Sequence, residues 1–587
     1  MKPINRRLFV ARWLAIALVV FATLSSLSVT TSASGTPQTS AACQSIDLDQ
    51  GWNQSQREDF WFTSQGSRLM PYTWFLALEV GAPTSQILFH DRANMDRYGY
   101  IAAPASARNP DGLPIGFARD HQGKPADDHI GFTCAACHTG SVNIAGTRVI
   151  VEGGPALADF WTFLTDVTAA LALNLNDHAK FDRFAKKVLN TPNPPVAAAN
   201  DLRARMKVKL LDLQTRVDQS GVTNPAGNGR EEAFGHIFTR VLAQSFGMPA
   251  NAKPPYGPAV SAPASYPFLW DTPQHDVVQW NGSAPNLRLF SLGPLGRNVG
   301  EVLGVFGELD VSRGHHILFL PFLPRRPHID ASADIGALKH LESLVTQLWS
   351  PKWPKDCLPL ANADTLAHGQ AVYSQACAQC HRLIGKDERT DPRRQIDAVL
   401  KPVGDVGTDP TLATNFVERK ALTGPLEGAG NLSHWLGKFG PEGKGQELLL
   451  AVVNGVMVRS GLSLLELSGP VSLRADRTAF DKAMEAGRTA RYKARPLNGI
   501  WATAPYLHNG SVPTLYDLLN PVDQRPAVFY VGSREFDAKQ VGLDTTEVPG
   551  AFRFDTAPMG NLRSGHLFGT TLSAKDKEDL LEFLKTL

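Results

Sequence analysis

The chain has 587 residues and a formal net charge of +2. Its length suits about three or four domain-sized units, and its hydrophobic content of 43% is that of a globular protein. The near-neutral balance gives no reason to expect a nucleic-acid partner, and no run beyond residue 33 is long and apolar enough to span a bilayer.

Residues 1–33 read as an export signal. Lys2, Arg6, Arg7 and Arg12 form a basic start, Trp13 to about Val29 is apolar, and Thr31-Ser-Ala33 offers a small-residue cleavage site. The mature protein is therefore expected to be periplasmic or secreted. Ser40-Ala-Ala-Cys43 resembles a lipoprotein box only loosely, because the apolar run ends too early.

Residues 34–110 form an N-terminal segment rich in aromatics, with Phe60, Trp61, Phe62, Tyr72, Trp74 and Phe75 close together. Core packing accounts for them better than lining of a ligand pocket. A Gly/Pro-rich loop from Asp111 to Asp128 leads to Cys134-Ala-Ala-Cys-His138. Val149 to Gly154 reads as a short strand or turn. Pro155 opens a helix with apolar residues at helical spacing, and further helices are expected over 177–189 and 196–217. The last alternates Lys and Arg with Leu and Val, as a solvated face does. Residues 218–275 carry little periodicity and form a long irregular connection. Arg297 to Gly307 reads as a helix ending in a Gly-flanked turn, and 335–348 as another helix.

The second half repeats the motif as Cys377-Ala-Gln-Cys-His381. Each C-x-x-C-H run is a haem-attachment signature: two cysteines bind the haem covalently and the adjacent His becomes the proximal iron ligand. The two runs use four of the six cysteines. Structural zinc or a redox dithiol are the rivals, but neither explains a His after each pair. Cys43 and Cys357 remain, and an oxidising compartment permits a disulfide between them.

Gly369, Tyr373 and Cys377 are four apart and stack on one helix face, with Asp364 as the expected N-cap. This resembles the first helix of class I cytochromes c. Ser573-Ala-Lys-Asp-Lys-Glu opens a final helix whose apolar face is Leu580, Leu581, Phe583, Leu584 and Leu587. The fold expected is mainly α, with two cytochrome c-like haem domains, at 111–350 and 357–587, long irregular insertions and few strands.

The ligands opposite His138 and His381 decide the chemistry, since an iron with both axial positions filled only passes electrons. His566, between glycines in the loop before the last helix, is favoured for the second haem, with His508 and then Met559 as rivals. His121, His129, His178 and His236 lie in the first half, but none sits in such a loop. That favours an open pocket over the first haem, with Trp270, Trp280 and Phe306 as candidate catalytic aromatics.

The chain resembles the di-haem rubber oxygenases and their relatives, within the di-haem cytochrome c peroxidase superfamily. The resemblance rests on Phe62 to Ser67, Ile130 to Gly140, Gly153 to Pro155, Trp280 to Gly282, Arg297 to Gly307, Val406 to Pro410, Trp501 to Leu519 and Gly565-His566. It implies two covalently bound haems c. The first, on His138, would bind O2; the second would be held by His381 and His566. The peroxidase branch would use H2O2 and a redox-protein donor, the oxygenase branch O2 and an organic substrate. The segment 218–306 departs from the rubber enzymes in spacing and matches none of its aromatics to their catalytic one. A plain electron-transfer cytochrome with both irons six-coordinate is the other reading.

Overall fold

The computed structural model describes residues 43, 46–124, 127–248, 260–286, 292–315, 325–385, 387–431, 437–459 and 473–587. The expected export signal lies outside them. The protein is 39% helix and 16% strand, so mainly α. The expectation of few strands is corrected: strands are many and short, in two- or three-stranded antiparallel pairs. They pin the long connections, whose backbone groups would otherwise go unpaired inside the molecule.

The N-terminal segment folds as core. Helix Gln54–Phe62 starts in a capping box between Asn53 and Gln56. Met70–Pro71, His129–Phe132 and Phe117–Asp120 form one three-stranded sheet that leads directly into Cys134. Phe75, Phe89, Tyr98, Tyr100, Phe117, Phe132, Phe160 and Phe163 pack edge-to-face around it. After His138 the chain makes a hairpin, Thr139–Ile144 against Thr147–Glu152. Ala145 and Gly146 turn it with positive φ, as a twisted two-residue hairpin needs.

The expected helix from Pro155 begins at Phe160 because Asp159 caps it, its Oδ1 accepting from Thr162 N. Helix His178–Val188 is capped in the same way by Asp177, and Val196–Ser220 follows. Helix Leu292–Gly304 starts before Arg297. Ile335–Thr346 is capped by Asp334.

In the second half, helix Ala363–Ala376 is capped by Asn362 rather than Asp364: Asn362 Oδ1 accepts from Thr365 N at 3.0 Å, and Asp364 sits in the first turn. This helix packs on the last, Ala574–Leu584. Gly369 makes that contact possible, since a Cβ there would stand 2.0 Å from the Asp579 carbonyl oxygen. Tyr373 packs on Phe583 at 5.4 Å and donates to the His381 carbonyl at 2.6 Å.

One apolar cluster joins Trp52, Ala135 and Phe268 to Tyr373, Trp501 and Leu580, so the two halves share a core across residues 350–357. A disulfide between Cys43 and Cys357, with Cα atoms 5.3 Å apart, ties the N-terminal segment to the start of the second half. Among the described residues no helix is long and apolar enough to cross a membrane.

Candidate haem sites

Each C-x-x-C-H segment lines its own buried cavity. Cys134, Cys137 and His138 line one of about 1590 Å³ of empty space, and Cys377, Cys380 and His381 one of about 1420 Å³. Both are lined mainly by apolar atoms with a few charged groups, as suits an apolar macrocycle that carries polar substituents.

The two histidines are oriented identically. His138 Nδ1 lies 2.8 Å from the Pro267 carbonyl oxygen, and His381 Nδ1 2.7 Å from that of Arg495. A carbonyl only accepts, so Nδ1 carries the proton and Nε2 keeps its lone pair for a metal. Burial holds His138 down to about 4 and lowers His381, which keeps both rings neutral as ligands must be.

The cysteines do not suit the rivals. Burial pushes the Cys134 thiol up to about 12 and Cys377 up to about 11, opposite to the lowered values of redox dithiols. The two pairs line separate cavities rather than one tetrahedral site.

The walls facing the two histidines differ. In the second cavity the His566 ring centre lies 6.3 Å from that of His381. Two imidazoles binding one metal from opposite sides at about 2.0 Å have ring centres roughly 6 Å apart, so a haem fits between them. His566 Nδ1 is buried without a hydrogen-bond partner. The loop holds its position: His566 has φ +48°, its N–H donates to the Val406 carbonyl, and Arg525 binds the carbonyls of Arg563, Gly565 and His566. Burial and the nearby His381 hold His566 down to about 4. His508 lines the same cavity but stacks on Tyr492 at 4.0 Å, and Met559 is 57% exposed.

In the first cavity the ring nearest His138 is Tyr266, at 6.2 Å. The same cavity is lined by Glu231 and His236, both buried, with His236 Nε2 2.9 Å from Glu231 Oε1. That contact is short, but its angle is not that of a hydrogen bond, and both ring nitrogens and Glu231 Oε2 are left without such partners. Phe160 and Trp161 flank the imidazole. His236 stands on the short helix Ala233–Phe238, where no periodic signal marked it, and Glu231 lies in the irregular connection.

Trp280 lines both cavities, its Nε1 donating to the Ser265 carbonyl at 2.9 Å. Trp270 is brought to neither. It is fully buried, stacks on Phe268 at 4.5 Å and donates to the Asn498 carbonyl. Phe306 also stays outside the first cavity, although Gly304 and Val305 line it. Its left-handed backbone, φ +70°, ends the helix, and its ring packs on Phe132 and Phe160.

Arg495, buried, and Lys493, half-buried, line both cavities. Burial depresses both, Arg495 to about 9, and Arg495 Nε has no partner. Buried cations of this kind fit a cofactor that carries carboxylates.

Residues 491–530 match the family described as RoxA-like, cytochrome c-like. The match includes Arg495, whose carbonyl orients His381, and much of the second cavity wall. The chain is 32% identical to the uncharacterized protein y4iJ of Sinorhizobium fredii, over 92% of its own length and 93% of the relative's. It belongs to the y4iJ family. A second Sinorhizobium fredii protein, the uncharacterized y4iM, is 25% identical over 62% of this chain and 72% of its own. The cytochrome c-like match points to covalently bound haem c and a haem-based redox function.

Proposed function

We propose that the protein is an exported di-haem redox enzyme, with O2 or peroxide activated at the His138 haem and electrons supplied through the His381 haem. The observation that carries this reading is that a second imidazole, His566, stands 6.3 Å from His381, whereas no imidazole ring packs on His138 among the described residues. Haem c at these sites would supply reversible electron transfer and, where an axial face is free, binding of a small oxidant.

The chain's residues do the rest. Pro267 and Arg495 orient the two proximal rings, and His566 closes the second site. Glu231 and His236 line the first cavity and are placed to pass protons into it, where reduction of O2 or peroxide would consume them. The apolar wall keeps bulk water from that step.

Trp280 borders both cavities. A short link also runs between the proximal rings. His138 bonds the Pro267 carbonyl, and Arg495 Nη1 donates to the next carbonyl, Phe268, at 3.1 Å. The carbonyl of Arg495 in turn takes His381. Export is supported by the Cys43–Cys357 disulfide, which suits an oxidising compartment. The partners proposed are a small oxidant and an organic substrate or redox-protein donor.

The second reading is a pure electron carrier. His236 favours it, because both its ring nitrogens lack hydrogen-bond partners and a rotation could bring one to the iron.

The experiment is single-turnover mixing of reduced protein with O2 or H2O2. His138→Ala should abolish oxidant consumption while leaving the spectrum of the second haem in place; normal consumption would overturn the reading. Glu231→Gln should slow consumption by about 10²-fold or more.

A further inference from the structure

The basic stripe of helix Val196–Ser220 is more than a solvated face. Arg205, Lys209 and Arg216 line a cleft of about 1220 Å³, partly open to solvent, together with Arg68, His129 and Arg240. Its acidic residues are Asp212 and Glu308, and both are taken. Lys209 binds Asp212 at 3.0 Å, and Arg68 binds Glu308 at 2.6 Å. Arg205 binds Asp201 outside the cleft at 2.9 Å.

Arg216 and Arg240 have no carboxylate within ion-pair distance among the described residues. Arg216 is 4% exposed, and Nη2 donates to the Gly304 carbonyl. Its Nε has no partner, and no hydrogen bond among the described residues uses its Nη1. Arg240 donates to Gln244 Oε1 and the Leu309 carbonyl, both at 3.2 Å, and its Nε is also unpartnered. His129 Nδ1 is a third buried nitrogen without a partner on this wall. Burial, and then the charge of Arg240, hold Arg216 down to about 9. Arg216 lies over the Phe306 ring at 4.8 Å and Arg240 is half-buried; Asp212, itself bonded to Lys209, offsets the two guanidiniums only from beyond ion-pair distance, so an anion held directly by both is favourable.

The remaining wall is apolar. Trp74, Leu213 and Phe306 are buried there, and Val208 is exposed at the rim. We propose that this cleft binds a small organic carboxylate, its head held by Arg216 and Arg240 and its apolar body lying on Trp74 and Leu213. The site is separate from the haem cavity. Gly304 and Val305 line that cavity, while Phe306 and Gly307 line the cleft. The proposal therefore stands whether or not the first haem activates oxidant.

The test is calorimetric titration of the purified full chain with octanoate, and in parallel with inorganic phosphate, which has charge but no apolar body. Saturable octanoate binding is expected, with phosphate weaker by about tenfold or more. Arg240→Gln should weaken octanoate by roughly tenfold or more, while Lys207→Gln, exposed on the same helix but outside the cleft lining, should leave it unchanged. If Arg240→Gln does not fold, Arg240→Lys carries the same test, because it keeps the charge and loses the fork. Absent octanoate binding, phosphate binding as tightly, or unchanged affinity in the Arg240 variant would each overturn the proposal.

Discussion

The two C-x-x-C-H cavities are alike on one side and unlike on the other. Each proximal histidine is tethered through Nδ1 to a backbone carbonyl contributed by a distant stretch, Pro267 or Arg495. Across from His381 stands a second imidazole, held by a left-handed turn and by Arg525. The cavity of His138 instead holds a buried carboxylate–imidazole pair. The two pentapeptides thus share their tether, and in the proposed reading the difference in chemistry comes from what the rest of the fold brings to each cavity.

The comparison can be broken most directly at His566. His566→Ala should turn the second haem high-spin and open it to exogenous ligands, removing the difference between the sites. If His508→Ala does this instead, the assignment of the closing ligand is wrong. The optical spectrum of the reduced protein reads both.

A smaller effect is expected at Gly369, which lets the two helices framing the second site touch. In Gly369→Ala the added Cβ would meet the Asp579 backbone, so the helices must separate. Stability to denaturant should fall by about 1–3 kcal/mol, with the first site's spectrum unchanged. An equal disturbance of both sites would show that the shared core transmits the strain.

The smallest effect concerns the hairpin beside the first site. Burial raises Glu152 to about 7, against its hydrogen bond from Trp61 and the charge of Arg57. A carboxyl raised on folding binds more protons in the folded state. Its contribution is therefore complete below the unfolded value near 4.5 and is lost as pH rises through about 7. Glu152→Gln should lose less stability than the parent across that window, as thermal unfolding against pH would show. Equal slopes would mean Glu152 is charged in the folded protein.

Much of the arrangement around His381 was legible in the sequence. The Gly369–Tyr373–Cys377 spacing placed one helix face, Ser573 placed the start of the last helix, and the glycine-flanked loop singled out His566. Asn362 was missed as a cap because Asp364, two residues on, carries the same signal. The first site was less legible. Glu231 and His236 lie where the chain has no periodicity, and burial brings them together. Trp270 and Phe306 read as pocket aromatics because bulk and position look alike whether a ring faces a cavity or a core. The hairpin at 139–152 did leave a signal, in Val142, Ile144, Val149 and Val151 alternating around Ala145-Gly146. The tethers of Pro267 and Arg495 left none, since a backbone carbonyl has no residue identity.

The most direct measurement is a titration of the dithionite-reduced protein with CO, with the optical difference spectrum set against haem content. The proposed reading, with the second site closed by His566 and the first open, predicts CO at about one haem in two. Binding to neither haem would mean His236 or another group fills the first iron, and the electron-carrier reading would replace the one proposed. Binding to both would mean His566 does not hold the second.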